Sequence, residues 1–192
     1  MANIERLRVF AAHAAQSVAL HGRNESAVLA AITPALAGLI AYDDFLPEAY
    51  TKPDEKHYQQ YLLYGDPAQN LSIVSFVWGP GQKTPVHNHR IWGLVGILRG
   101  GELSTNFTEQ GGRLVPAAPE LLAPGRIVAV SPRLGDVHQI SNAYDDAVSI
   151  SIHVYGGNIG RVRREVFLPE TGEVKPFISG YANVDVPNLW AA

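Results

Sequence analysis

The segment Val148-Ser149-Ile150-Ser151-Ile152-His153-Val154-Tyr155 alternates without exception. In an extended chain Val148, Ile150, Ile152 and Val154 fall on one face, and Ser149, Ser151, His153 and Tyr155 on the other. Four β-branched residues on one face belong in a core. The opposite face carries hydroxyls, an imidazole and a phenol, where a solvent face more often carries Lys, Glu or Thr. That favours a cavity lining over an exposed surface. Three such groups in a row can form a relay, in which serine orients imidazole and imidazole orients phenol. A core histidine hydrogen-bonded to Ser151 would make the same contact, so the pattern alone leaves both readings open.

Working outward, further short runs rich in β-branched and aromatic residues are Leu71 to Trp78, Trp92 to Leu98, Leu103 to Thr108 and Ile127 to Val130. Between them lie Gly79-Pro80-Gly81, Gly100-Gly101, Gly111-Gly112, Pro124-Gly125 and the polar stretch 142–146. Short strands closely spaced by turn signals predict an all-β sandwich or barrel. The first 45 residues differ. Leu7, Phe10, Ala11, Ala14 and Val18 recur at helical spacing, and Asn24 or Ser26 is positioned to cap a second helix. Thr33-Pro34 reads as a cap followed by a first-turn proline, which predicts a third short helix there. Too small to bury a core alone, this part is expected to cover one side of the sheet. The expected plan is one domain over residues 1–192: a helical cap over 1–45, a β-barrel over 46–172 and an irregular tail over 173–192 with Pro176, Gly180 and Pro187.

Composition excludes several classes. With 46% hydrophobic and 17% charged residues, the chain can bury a sizeable core. A net charge of -3 leaves no basic footprint for nucleic acid. The absence of cysteine removes disulfides, thiolate metal sites, iron–sulfur clusters and cysteine nucleophiles. The most apolar run, Ser26 to Ala41, is interrupted by Pro34 and falls short of the ~20 residues a bilayer crossing needs. No basic n-region leads into it. The expectation is a soluble, cytoplasmic protein without membrane or nucleic-acid partners. Oligomeric state is not legible.

Of the seven histidines, His13, His21 and His57 read as surface or capping residues. His87 and His89, two apart in Pro85-Val86-His87-Asn88-His89, point to one face of an extended segment and can share a metal ion. Gly81 precedes His87, and His138 follows Gly135 with Asn142 beyond. This pattern, Gly-x5-His-x-His and later Gly-x2-His-x3-Asn, resembles the two motifs of the cupin superfamily. The resemblance implies a jelly-roll barrel whose histidines meet at one metal. The glutamate usual just past the second histidine of cupins is absent, since Gly93 and Leu94 stand there. The implied ligand set is therefore His87, His89 and His138. With no ligand anion to offset it, the metal keeps its full charge, and open positions remain. Both features suit an anionic substrate beside a small molecule such as dioxygen. Zinc with a bound water would fit the same ligands.

Ser151-Ile152-His153-Val154-Tyr155 narrows the resemblance to the thiol dioxygenases, the cysteine dioxygenase type among cupins, and most nearly to the bacterial glutamine-type 3-mercaptopropionate enzymes. Tyr58 to Gly100, Gly135 to His138 and Ser151 to Arg164 fit that pattern. The resemblance implies Fe(II) on the three histidines, a small thiol and O2 as substrates, and a Ser151, His153, Tyr155 triad. Spacing favours His138 over His153 as the third ligand. The arginine that grips the carboxylate in animal-type enzymes is replaced by Gln60, in Tyr58-Gln59-Gln60. The carboxylate partner is then expected downstream among Arg161, Arg163 and Arg164, with Arg164 favoured by its spacing from Tyr155. The thioether that joins cysteine to this tyrosine in animal-type enzymes is impossible here, so Tyr155 is expected to be a free phenol. The alternatives are a metal-binding cupin without oxidation, such as a sensor, and a zinc-dependent hydrolase or isomerase.

Overall fold

A computed structural model of the chain describes residues 2–190. Helix α1 (Ile4–His21) buries Leu7, Phe10, Ala11 and Ala14, the stripe its spacing predicts. Helix α2 (Glu25–Ile40) starts at Asn24, whose side chain accepts a hydrogen bond from the Ala27 amide. The third helix expected at Thr33-Pro34 does not form separately, because both residues lie inside α2. An internal proline forfeits one backbone hydrogen bond. Here the apolar stripe Val28, Ile32, Leu36, Leu39 and Ile40 runs straight through it and is buried, at about 1.5–3 kcal/mol per large side chain. The Thr33 hydroxyl donates to the Leu29 carbonyl at 2.7 Å.

The strands are β1 (Gln59–Gly65), β2 (Ser72–Trp78), β3 (Val86–His87), β4 (Gly93–Arg99), β5 (Glu102–Gln110), β6 (Arg113–Pro116), β7 (Glu120–Leu122), β8 (Ile127–Val130), β9 (His138–Asn142), β10 (Ser149–Tyr155), β11 (Arg164–Leu168) and β12 (Glu173–Phe177). One antiparallel sheet runs β1-β2-β10-β4-β8, the other β12-β11-β3-β9-β5-β6 with β7 beside β5. This is the mainly β jelly-roll barrel with an N-terminal helical cap that the sequence predicts. Among the described residues no helix is long and apolar enough to cross a membrane.

Strands β2, β4 and β10 of the first sheet are buried on both faces, which positions the site. Its outer face, with Ile73, Val77, Leu94, Leu98, Ile150, Ile152 and Val154, packs into one core with the helices. Gly96 lets α2 approach: a Cβ there would meet Ile40 Cδ1 at 3.0 Å. Its inner face carries Val74, Phe76, Trp78 and Tyr155, which cluster with Val130, Ile140 and Ile159. The alternation of β10 thus sends its aliphatic residues to the cap and its polar residues into the barrel.

The tail differs from expectation at one point. Glu173–Phe177 is a strand, paired from Arg164↔Phe177 to Leu168↔Glu173. It lies at the sheet edge, where Pro176 is tolerated, and it is mostly exposed, so no alternation of apolar residues announces it. Residues 178–190 form no helix or strand. The last two positions of the expected tail fall outside the described residues.

Candidate metal centre

The β3–β9 ladder places His87 directly opposite His138. After His87 the chain leaves the ladder in a turn, with Arg90 at φ 61°. Asp136 holds this turn. Its carboxylate accepts hydrogen bonds from the His89 amide at 3.0 Å, the Arg90 amide at 2.8 Å and His89 Nδ1 at 2.9 Å. His87 Nδ1 donates to the Pro85 carbonyl at 3.0 Å. In both rings Nδ1 must carry the proton, because its partner only accepts. That leaves Nε2 as the free lone pair. The candidate ligand atoms of His87, His89 and His138 lie within 4.8 Å of one another.

All three rings are buried. Burial, reinforced by His89, pushes His87 down to about 3. Burial likewise lowers His89, against the pull of Asp136, and lowers His138 well below the usual histidine range. The cluster is neutral at neutral pH, which is the ligand form of imidazole. Among the described residues no carboxylate joins it. The donor set therefore fits a divalent metal, and these three histidines could hold one.

Beside the cluster runs a chain of hydrogen bonds. Ser151 Oγ lies 2.8 Å from His153 Nε2, and His153 Nδ1 lies 2.7 Å from the Tyr155 hydroxyl. Both nitrogens of His153 are thus engaged, and the geometry groups His138, not His153, with His87 and His89. Phe76 stacks on His153 at 4.1 Å, and Tyr155 stacks on His89 at 5.7 Å. Burial pushes the Tyr155 phenol well above its usual range, so it stays protonated.

These groups face a cavity of about 160 Å³ lined by His87, His89, His138, His153, Tyr155, Gln60 and Arg164, with Tyr58 and Phe177 among its aromatic walls. That is below the ~300–1,000 Å³ of drug-sized sites, so it suits a small ligand. An outer cleft of about 680 Å³ shares Tyr58, Gln60, Pro85 and Phe177 with it but none of the clustered histidines. Of the three candidate arginines, Arg161 and Arg163 are exposed and Arg164 is 3% exposed. Its Nη2 donates to Ser179 Oγ at 2.7 Å, and its guanidinium lies 4.6 Å over the Phe177 ring. Among the described residues its Nε has no partner. Gln60 Nε2 donates to the same Ser179 Oγ at 3.2 Å and to the Gly180 carbonyl at 2.8 Å, so Gln60 braces the segment that holds Arg164.

The sequence reading missed two residues. Asp136 could have been found, as a carboxylate two positions before a candidate ligand. Glu102 could not, since it is a lone acid after a Gly-Gly turn. It is fully buried at the start of β5, beside Ser151 and Trp78, with neither carboxylate oxygen in a hydrogen bond of ordinary geometry. Among the described residues Trp78 Nε1 is likewise unpartnered.

No protein-family model matches the chain. Among solved structures it is similar to a cupin-2 domain from Rhodospirillum rubrum, with 16% identity, a TM-score of 0.46, and coverage of 63% of this chain and 74% of that one. It is also similar to a protein with a double-stranded β-helix domain from Klebsiella pneumoniae, with 16% identity, a TM-score of 0.43, and coverage of 70% and 96%. An oxalate oxidase in complex with the substrate analogue glycolate matches with 15% identity, a TM-score of 0.46, and coverage of 63% and 62%.

Proposed function

We propose that the chain is a non-haem iron thiol dioxygenase, which converts a small thiol carboxylate to its sulfinate, RS⁻ + O2 → RSO2⁻. The supporting observation is the convergence of three elements on one small cavity: three neutral histidines, a buried guanidinium with an unpartnered donor, and a Ser151–His153–Tyr155 chain. Ferrous iron, when held by His87, His89 and His138, supplies the dioxygen chemistry and favours the thiolate form of the substrate.

The chain's own residues do the rest. Arg164 takes the substrate carboxylate, because a planar guanidinium offers parallel charge-assisted bonds. Gln60 keeps Arg164 in place through Ser179. The neutral, protonated Tyr155 offers its hydroxyl to the reacting groups, and His153 and Ser151 fix where that hydroxyl points. The aromatic walls and small volume exclude bulk water. The small cavity suits a short chain between sulfur and carboxylate, and Gln60 in place of the animal-type arginine is the reason 3-mercaptopropionate is favoured over cysteine.

The test is oxygen consumption by the ferrous-reconstituted protein with 3-mercaptopropionate and cysteine in parallel, with the sulfinate quantified. Stoichiometric sulfinate is expected, faster with 3-mercaptopropionate. Absence of uptake with either thiol, at full iron loading, would overturn the proposal in favour of a non-oxidative binding role or a zinc-dependent reaction.

A further inference from the structure

We propose that Glu102 is a positioning residue that sets the direction of the Ser151–His153–Tyr155 hydrogen-bond chain, and with it whether Tyr155 presents a proton or a lone pair to the cavity. The catalytic meaning of this switch rests on the proposed dioxygenase reading, but the switch itself does not.

The argument is one of counting donors. His153 is kept neutral by burial, so its ring carries one N–H, and each ring nitrogen has one partner. Two arrangements satisfy the chain. In the first, Ser151 donates to His153 Nε2, His153 Nδ1–H donates to the Tyr155 oxygen, and the phenolic proton is free to point into the cavity. In the second, every bond is reversed: Tyr155 donates to Nδ1, Nε2–H donates to Ser151, and the cavity meets only a phenol lone pair. The far end of the chain selects between them, and Glu102 stands there beside Ser151.

A protonated Glu102 donates its O–H to Ser151 Oγ, so Ser151 turns its own proton toward His153, giving the first arrangement. An ionised Glu102 can only accept, so it takes the Ser151 proton and imposes the second. Trp78 Nε1–H, the other unpartnered buried donor beside this carboxyl, can serve either state, by donating to the acid's carbonyl oxygen or to the carboxylate. Both states therefore have a complete set of partners available, which makes the element two-state.

Among the described residues, the elements around Glu102 bring no charge. β7 and β9 place Leu122 and Asn142 opposite it, β2 brings Trp78 and β10 brings Ser151. Among the described residues no charged group acts on its ionisation; of the titratable groups in the cavity, Tyr155 feels its charge. Burial pushes the carboxyl up to about 7, so both states are accessible near neutrality.

The experiment is nitrogen-15 NMR of the histidine rings in the zinc-loaded full chain as a function of pH, with His153 assigned by the loss of its signals in His153→Gln. In the wild type, the pyrrole-like and pyridine-like resonances of His153 are expected to exchange between Nδ1 and Nε2 as pH rises through neutrality. In Glu102→Gln the side-chain oxygen takes the Trp78 N–H and the amide group faces Ser151. His153 is then expected to keep its proton on Nδ1 at every pH. A wild-type His153 that keeps one tautomer throughout, or a Glu102→Gln variant that still exchanges, would overturn the proposal. Oxygen uptake is measured on the iron-loaded forms. Activity with a pH-silent His153 defeats the switch alone, whereas exchange without any thiol oxidation defeats the dioxygenase reading alone.

Discussion

Gly93 and Tyr155 are partners in the β4–β10 ladder, and the tyrosine ring fills the space that any side chain at position 93 would need. A Cβ on Gly93 would stand 2.7 Å from Tyr155 Cδ1 and 2.8 Å from Cε1. Where the resembled cupins carry a ligand or a crosslinking cysteine, Gly93 and Leu94 stand here, and the missing side chain of Gly93 leaves the room in which the free phenol sits against His89.

Gly93→Ala tests this seat. The ring must move, and its hydroxyl with it, while the three histidines keep their own supports. A misplacement near 1 Å costs roughly 10²-fold in rate when a group must meet a reacting centre. The expected result is a fall in kcat of about that size with unchanged iron content. Wild-type turnover would show that the Tyr155 position does not matter.

Asp136→Asn probes the support of His89. The carboxylate binds the successive amides of His89 and Arg90 in the turn and fixes the proton on His89 Nδ1. An amide oxygen in the Oδ1 place can keep the two bonds from His89, but it turns an NH2 donor toward the Arg90 amide and loses the charge. Partners of this kind are worth about 10- to 100-fold in metal affinity. Metal competition titrations are expected to show a loss in that range, and equal affinity would remove Asp136 from the account of the site.

The fold was legible because β2, β4 and β10 are buried on both faces and concentrate β-branched and aromatic residues between glycine turns. The same physics hid β12, where an exposed edge needs no apolar pattern. In the site, the Ser151–His153–Tyr155 row was legible because strand periodicity sets which face a side chain takes, whereas His87, His89 and His138 were grouped through the resemblance to the cupin motifs: the extended segment expected to present both His87 and His89 ends at His87, and His89 reaches the cluster from a turn that Asp136 holds. Arg164 was favoured over Arg161 and Arg163 by its spacing from Tyr155, but its burial was not legible, because it depends on Phe177 and Ser179 arriving from elsewhere in the chain. Glu102 left no local mark, because its neighbours Trp78 and Ser151 are brought to it by other strands.

Arg164→Gln separates carboxylate recognition from the chemistry of sulfur. A charge-assisted hydrogen bond contributes about 1.5–3 kcal/mol, or roughly 10- to 100-fold in affinity. KM for 3-mercaptopropionate is expected to rise by that factor. Cysteamine, a thiol without a carboxylate, is expected to lose nothing. Equal losses with both thiols would mean that Arg164 supports the barrel and not the substrate.

The burial of Glu102 has a consequence for stability with a definite sign. Its carboxyl is raised from 4.5 to about 7, so the folded chain holds this proton more tightly than the unfolded chain does. The stabilising contribution is fully present below about pH 4.5 and is lost as pH rises through about 7. The difference corresponds to about 3 kcal/mol at alkaline pH. The buried histidines act in the opposite sense: His87, lowered to about 3, costs stability as pH falls below its ordinary 6.5. Wild-type stability alone would mix the two effects. Comparison with Glu102→Gln at fixed metal content isolates the acid, since glutamine has its shape and no charge. In urea unfolding the variant is expected to match the wild type near about pH 4.5 and to exceed it progressively above, by up to about 3 kcal/mol at about pH 8. A difference that stays constant with pH would show that the carboxyl is not desolvated in the folded chain.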